Sequence, residues 1–218
     1  MLKIFALKQH EKMDNLIFEE ILSLLDEDKQ KKISKFYRRQ DAQRSLLGNL
    51  LVRAILCDML QIKNEDIKII RNEMGKPYVD HIPQAFFNIS HSGDWIVGAF
   101  DSFPVGVDIE QIKDLDLNMA KTILAKIDYE EMLQIKEADR LDYFYKCWTL
   151  GESYLKMLGG GMSIPLPSIK KLKNKAFFKN YSLDADYVLS LCSIHNLFPE
   201  DIILTDIKKL LKIINIQN

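Results

Sequence analysis

Cysteine, proline and glycine are all scarce in this chain, with three, six and nine residues among 218. Cys57, Cys147 and Cys192 are odd in number and widely scattered, which excludes a disulfide framework and any CxxC metal or redox motif. A reducing cytoplasm is therefore the expected compartment. The thin spread of proline and glycine leaves no low-complexity run or flexible linker, so a second domain has to pack directly against the first. No charge of one sign dominates: 30 basic and 31 acidic residues give a formal net charge of -1. That balance removes any chain-wide electrostatic argument for nucleic acid or a membrane surface, and an anion site has to be local. The apolar stretch in MLKIFALKQHEKMD is only a few residues long, too short for a signal-peptide core or a membrane span. What is present is a 47% hydrophobic content, enough for one large core or two small ones.

Apolar spacing predicts a helix over residues 16–25, then a lysine-rich stretch from Lys29 to Arg39. A longer helix follows with Asp41 as a candidate N-cap and Leu46, Leu47, Leu50, Leu51, Ala54 and Ile55 on a core-facing stripe through about Leu60. Ile67 to Ile70 reads as a strand, Asn72 to Pro77 as a turn, and residues 85–90 and 95–100 as a hairpin joined through Ser92-Gly93-Asp94. Val105 to Glu110 alternates Val105, Val107 and Ile109 against Gly106, Asp108 and Glu110. Helices are expected near residues 118–126, 129–136 and 142–158, the last stopped by Gly159-Gly160-Gly161. Strands are expected over 169–173, 176–181, 187–193 and 202–204, with a short helix near 206–213. Helix followed by strands thus occurs twice, with a break near Pro104, which suggests two α+β halves.

Asp108 and Glu110 share one strand face roughly 7 Å apart, a hard-oxygen pair suited to Mg2+ or Mn2+, or equally a solvated acidic face. Trp148, Glu152 and Lys156 share a helix face; Glu152 and Lys156 also make an ordinary i,i+4 surface pair, and Trp148 an ordinary core residue. In FNISHS, Asn88 and Ser90 alternate with Phe87 and Ile89 before His91, a phosphate-binding junction or a locally bonded turn. The basic run from Lys29 to Arg39 reads as a solvated helix face. The three glycines end a helix, where the dipole repels anions, and are no P-loop.

In their order, FNISHSGDWIVGAF, PVGVDIEQI and FYKCWTLGESYLKMLGGGMSIPL resemble the Sfp-type 4'-phosphopantetheinyl transferases. KFYRRQDAQRSLLGNLLVRAIL and NEMGKPYV extend the resemblance to nearly the whole chain. The motifs (V/I)G(V/I)D(I/V)E and W(S/T)xKE(A/S)xxK at this separation are far more specific together than apart. The resemblance implies an α+β pseudo-dimer, here residues 1–104 and 105–218, with the active site in the cleft between the halves. It implies transfer of the phosphopantetheine arm of coenzyme A to a serine of an acyl or peptidyl carrier domain, of the kind used in fatty acid, polyketide and nonribosomal peptide antibiotic synthesis. Asp108, Glu110 and Glu152 would hold Mg2+ (or Mn2+), Glu152 would also be the general base, and Lys156 would contact the phosphates. Lys32, Ser45, Lys76, Ser90 and His91 would bind the nucleotide end with its 3'-phosphate, and the adenine would lie near Gly75, Lys76 and Pro77. A cytoplasmic monomer with no nucleic-acid or membrane partner is expected.

Two positions depart from the family pattern, and both lose a lysine: Gly151, immediately before the helix glutamate, and Gly160. Glycine inside a helix costs about 1 kcal/mol against alanine. Gly151 therefore motivates an alternative, a catalytically weakened homologue that binds coenzyme A or a carrier. A generic Mg2+ phosphohydrolase is disfavoured by the absence of a P-loop and of a second carboxylate cluster.

Overall fold

The structure, a computed structural model, describes residues 1–9, 12–159, 165–166, 168–172 and 175–217. Strand β1 (Lys3–Lys8) shows how its layers arise, because Ile4 and Ala6 point to one face, Phe5 and Leu7 to the other, and all four are buried. A strand apolar on both faces needs cover on both sides. On one side Phe5 and Leu7 join a cluster with residues of α1 (Asn15–Ser23), α3 (Arg39–Leu60) and α8 (Ile207–Gln217), including Phe18, Leu46, Leu50 and Leu210. On the other, Ile4 and Ala6 meet Val105, Val107, Ile109, Leu189 and Leu191 of a second sheet.

The first sheet has the order β4-β5-β1-β9, with β4 (Phe86–Ser92), β5 (Trp95–Asp101) and β9 (Ile203–Thr205). The second has the order β6-β8-β7, with β6 (Val105–Gln111), β7 (Phe177–Tyr181) and β8 (Tyr187–Ser193), antiparallel throughout. Helix α6 (Arg140–Leu158) covers its outer face, giving a helix-sheet-sheet-helix stack. Gly106 permits that contact: a Cβ there would run into the backbone of Ser153 and Met157. Apolar Val105, Val107 and Ile109 therefore turn toward the first sheet, while Gly106, Asp108 and Glu110 turn toward α6. Strands β2 (Ile69–Arg71) and β3 (Pro77–Val79) form a separate antiparallel pair whose Ile69 and Val79 join the helix-side cluster, and α2 (Glu27–Ser34) is capped by Asp26 through the Lys29 amide. Short helices α4 (Ala120–Ile123) and α5 (Lys126–Gln134) pack toward the start of α6.

Several expectations need correction. Helix α3 begins at Arg39 with Arg38 in the cap position, so Asp41 lies in its first turn and accepts from Arg44 at 3.1 Å instead of capping. Residues 169–172 form a short helix, α7 (Ile169–Leu172), where a strand was expected; the run is too short for its period to decide. The helix expected over residues 118–126 is broken, with α4 spanning only four residues and α5 starting at Lys126. Beyond these, β9 pairs in parallel with β1, and α8 packs on α3. Residues 203–217 thus belong spatially with the N-terminal half. No described helix is long and apolar enough to cross a membrane.

Candidate active site

Strands β4 and β6 belong to different sheets yet run side by side, joined by short polar side chains. Asn88 Oδ1 accepts the Val107 amide at 2.8 Å, and Ser92 Oγ accepts the Gln111 amide at 3.1 Å. Ser90 Oγ donates to Asp108 Oδ1 at 2.9 Å, and Ser92 Oγ donates to Glu110 Oε2 at 2.8 Å. The polar alternation along β4 is therefore the seam between the halves. Buried polar groups need partners, and these two strands supply them to each other.

The seam gathers the acidic residues. Asp108 is 2% exposed, and its Oδ1 also accepts from Lys156 Nζ at 2.5 Å, while Lys156 donates to Ser90 Oγ at 2.8 Å. Asp108 Oδ2 is buried without a partner. Burial raises the Asp108 pKa above its ordinary value despite the opposing Lys156 and Ser90. Burial followed by the Asp108 charge raises both Glu110, which also feels Glu152, and Glu152, where Lys156 opposes. Three carboxylates thus repel one another across β6 and α6, with Lys156 as the cation among them.

Whether these residues suit a divalent ion follows from the donors. All are hard oxygens, one is an orphaned buried carboxylate atom, and the cluster carries excess negative charge. Among the described residues no group of three or more His, Cys, Asp or Glu side chains is drawn together closely enough to hold a metal ion. Mg2+ does not require such a group, since it commonly takes one or two protein carboxylates and completes its shell with phosphate and water. The residues fit an open Mg2+ site.

On the other side of β4 lies a cavity of about 450 Å3. Its lining includes Lys29, Arg44, Arg71 and His91, with Ser45 and Pro77 on the walls and Val52, Phe87 and Ile89 as apolar floor. Burial, then the nearby Arg71 charge, pulls the Lys29 pKa down. Partial desolvation, then Arg44 and Lys156, holds His91 below its ordinary value. Arg44 Nε is buried with no partner. The cations Lys29, Arg44 and Arg71 outnumber the Asp41 carboxylate on the same lining, and with the unused Arg44 donor they suit a local anion in a chain with no net basic charge.

The structure brings together Ser45, Pro77 and His91 at the cavity, and Ser90, Asp108, Glu110, Glu152 and Lys156 at the seam. Lys32 is exposed on α2 and does not line the cavity; Lys29, one turn earlier, does. Gly75 takes φ +83° in the turn, and its carbonyl accepts from Arg71 at 2.5 Å. Lys76 points away, donating to the Met157 carbonyl at 2.6 Å, and burial lowers its pKa to about 8. Lys29, Arg44 and Arg71 were not singled out from sequence, although Arg44 lies within the quoted QDAQRSLLG segment and Lys29 within the basic run. Trp148 packs on Phe144 at 5.6 Å between ring centroids, the structural of its two readings. Gly151 is buried, and a Cβ there would come within 2.6 Å of Cδ2, the movable tip of the half-buried Leu166. Gly160 and Gly161 lie outside the described residues.

Two α+β halves that meet at an acidic seam, the first of them carrying a cation-lined cavity beside it, have the architecture of a pseudo-dimeric transferase. The chain belongs to the 4'-phosphopantetheinyl transferase superfamily, as an Sfp-type member: the family model for the 4'-phosphopantetheinyl transferase N-terminal region matches residues 13–102, and that for the superfamily matches residues 104–203. It is 34% identical over 224 aligned residues to 4'-phosphopantetheinyl transferase Sfp of Bacillus subtilis (strain 168), covering 96% of this chain and 100% of that protein. The 4'-phosphopantetheinyl transferase gsp of Aneurinibacillus migulanus is 37% identical over 175 residues, 80% of this chain and 73% of the relative. A mouse L-aminoadipate-semialdehyde dehydrogenase-phosphopantetheinyl transferase is 29% identical over 163 residues, 68% and 52% of the two chains.

Proposed function

We propose that this enzyme transfers the 4'-phosphopantetheine group of coenzyme A to a serine hydroxyl of an apo acyl or peptidyl carrier protein, releasing adenosine 3',5'-bisphosphate. One observation carries the reading: successive residues of β4 serve two sites, His91 lining the cationic cavity and Ser90 holding Asp108. A ligand with a phosphorylated nucleotide at one end and a pyrophosphate in its middle spans that distance. Its 3'-phosphate would sit among Lys29, Arg44, Arg71 and His91, beside Ser45, with the adenine near Gly75 and Pro77.

The serine oxygen would bond to the β-phosphorus as the bond to the oxygen bridging the α-phosphorus breaks, and that oxygen leaves with the nucleotide. Glu152 would take the serine proton. Its raised pKa, caused by burial and the Asp108 charge, brings it nearer neutrality, where a general base is most effective. Lys156 is placed to turn from Asp108 toward a phosphate oxygen, and one such contact at an effective dielectric of 20 contributes about 4 kcal/mol at 4 Å. Mg2+, held by Asp108, Glu110 and Glu152, would supply charge neutralisation to the pyrophosphate. On this reading the enzyme acts as a monomer. The buried, unpaired thiols of Cys57, Cys147 and Cys192 suit the cytoplasm.

The test is intact mass of several apo-carriers after incubation with coenzyme A and Mg2+. A gain of one phosphopantetheine on any carrier is expected, and none on a broad panel would refute transfer. The Leu166 packing at Gly151 favours a second reading, a weakened homologue, because it fills the place where the family carries a lysine. Tight coenzyme A binding by calorimetry without transfer would select that reading.

A further inference from the structure

The Asn72–Pro77 turn is held rigidly. Asn72 Oδ1 accepts the amides of Met74 at 3.0 Å and Lys76 at 2.8 Å, the Asn72 amide donates to the Lys76 carbonyl at 3.0 Å, and the Gly75 amide donates to the Asn72 carbonyl at 2.9 Å. Pro77, at its end, is a wall of the cation-lined cavity. The Lys76 side chain runs the other way, across the junction of the halves, to the Met157 carbonyl. Helix C-termini leave their final carbonyls without intrahelical donors, and a cation there also faces the negative end of the helix dipole. The Lys76 stem lies against Gly159, which ends α6 with φ +80°; a Cβ on Gly159 would come within 3.0 Å of Lys76 Cδ.

The junction around this contact is incompletely filled. A cavity of about 380 Å3 is lined by Pro77 and Phe87 from one half and by Met157 and Leu158 from the other. Lys76 bonds to no described carboxylate, and its ammonium is partly desolvated for a contact with one carbonyl. Desolvating a cation this way is unfavourable for stability. A methionine would pack there more cheaply.

We propose that Lys76 is a positioning residue: its ammonium straps the turn that walls the nucleotide cavity to the C-terminus of α6, holding a seated nucleotide in register with Glu152 and Lys156 on the same helix. This rests on the proposed coenzyme A reading of the cavity, and it assigns the Lys76 ammonium to the helix end instead of to the ligand. Strain or slack at the turn is then passed to α6 at Met157, the residue after Lys156 and about one and a half turns from Glu152, because a helix transmits displacement along its axis.

Lys76→Met keeps the stem and removes the donor, while Lys76→Arg restores a donor. In the ligand-free protein, amide hydrogen exchange at residues 155–159 should speed by roughly fivefold or more in Lys76→Met, the loss of one hydrogen bond, and return toward wild type in Lys76→Arg. Unchanged exchange overturns the strap whether or not coenzyme A binds. In turnover assays Lys76→Met should lower kcat by about ten- to hundredfold through misplacement, with KM for coenzyme A nearly unchanged and partial recovery in Lys76→Arg. A raised KM with intact kcat would mean that Lys76 grips the nucleotide itself, and would overturn the proposal. Failure of coenzyme A to alter exchange anywhere in the wild type would instead sink the reading of the cavity, leaving the ligand-free exchange to decide on the strap.

Discussion

Replacing Glu110 by glutamine should make this protein more stable and less active at once. Glu110 accepts from Ser92 Oγ at 2.8 Å, and a glutamine carbonyl can keep that bond. What is lost is a negative charge facing Asp108, roughly 7 Å away along the strand, where two unit charges repel by about 2 kcal/mol at an effective dielectric of 20. Lys156 pairs with Asp108 and not with Glu110, so no ion pair is broken. Half-exposure screens part of the repulsion, leaving an expected gain of about 1–2 kcal/mol, or about 2–6 °C in Tm for a chain of this size. The pH dependence has a definite sign. The folded-state pKa of Glu110 lies above its ordinary 4.5, so between the two values the folded protein binds more protons than the unfolded one. Wild-type stability therefore falls as pH rises through that window, and the variant lacks this slope. Its advantage should be full at pH 8 and vanish in acid below the unfolded value. Mg2+ at about 100 times its Kd should stabilise the wild type by about 2.7 kcal/mol and the variant by clearly less. Thermal melts at pH 4, 6 and 8 with chelator or Mg2+ check this. A variant less stable than wild type at pH 8 in chelator, or equal Mg2+ shifts in both proteins, would refute the electrostatic account of the seam.

Lys156→Met leaves the buried Asp108 carboxylate without its cation and should cost about 3 kcal/mol by chemical denaturation, with turnover falling at least about a hundredfold. Gly106→Ala drives a methyl into the backbone of α6, where no side chain can swing aside, and should cost at least about 3 kcal/mol, read as loss of soluble, cooperatively unfolding protein. Gly151→Ala should change stability by less than about 1 kcal/mol, because the Leu166 tip it meets can swing aside and the gain of about 1 kcal/mol in helix propensity offsets that cost. In a Leu166→Ala background the same change should become stabilising, and a double-mutant cycle without coupling would exclude this packing.

Local periodicity in the sequence carried much of the site. Alternation over Val105–Glu110 correctly put Asp108 and Glu110 on one face, and helical spacing put Glu152 and Lys156 on another. Pattern alone could not say what covers a polar face, so Asn88 and Ser90 read as a phosphate-binding junction or a locally bonded turn, although both are buried and bonded to β6. The Lys29–Arg39 run held the right kind of residue one turn from the right place: Lys29 lines the cavity and Lys32 does not, a matter of helix orientation that composition cannot supply. Gly151 looked like a loss in sequence because its partner, Leu166, is visible only in three dimensions. The return of β9 and α8 to the first sheet is a long-range pairing, and no local period encodes it.

That return sets a schedule for synthesis. When residue 104 has left the ribosome, β1 has β5 on one side and an open edge on the other, and the apolar surface that will receive Leu210 and Ile214 is bare. About a hundred further residues must be added before β9 and α8 arrive, a wait on the order of 5–20 s at ordinary translation rates. The N-terminal half is thus finished after the C-terminal one, and for that interval its unprotected edge is the place where a nascent chain of this family member is most open to chaperones or to pairing with a neighbour.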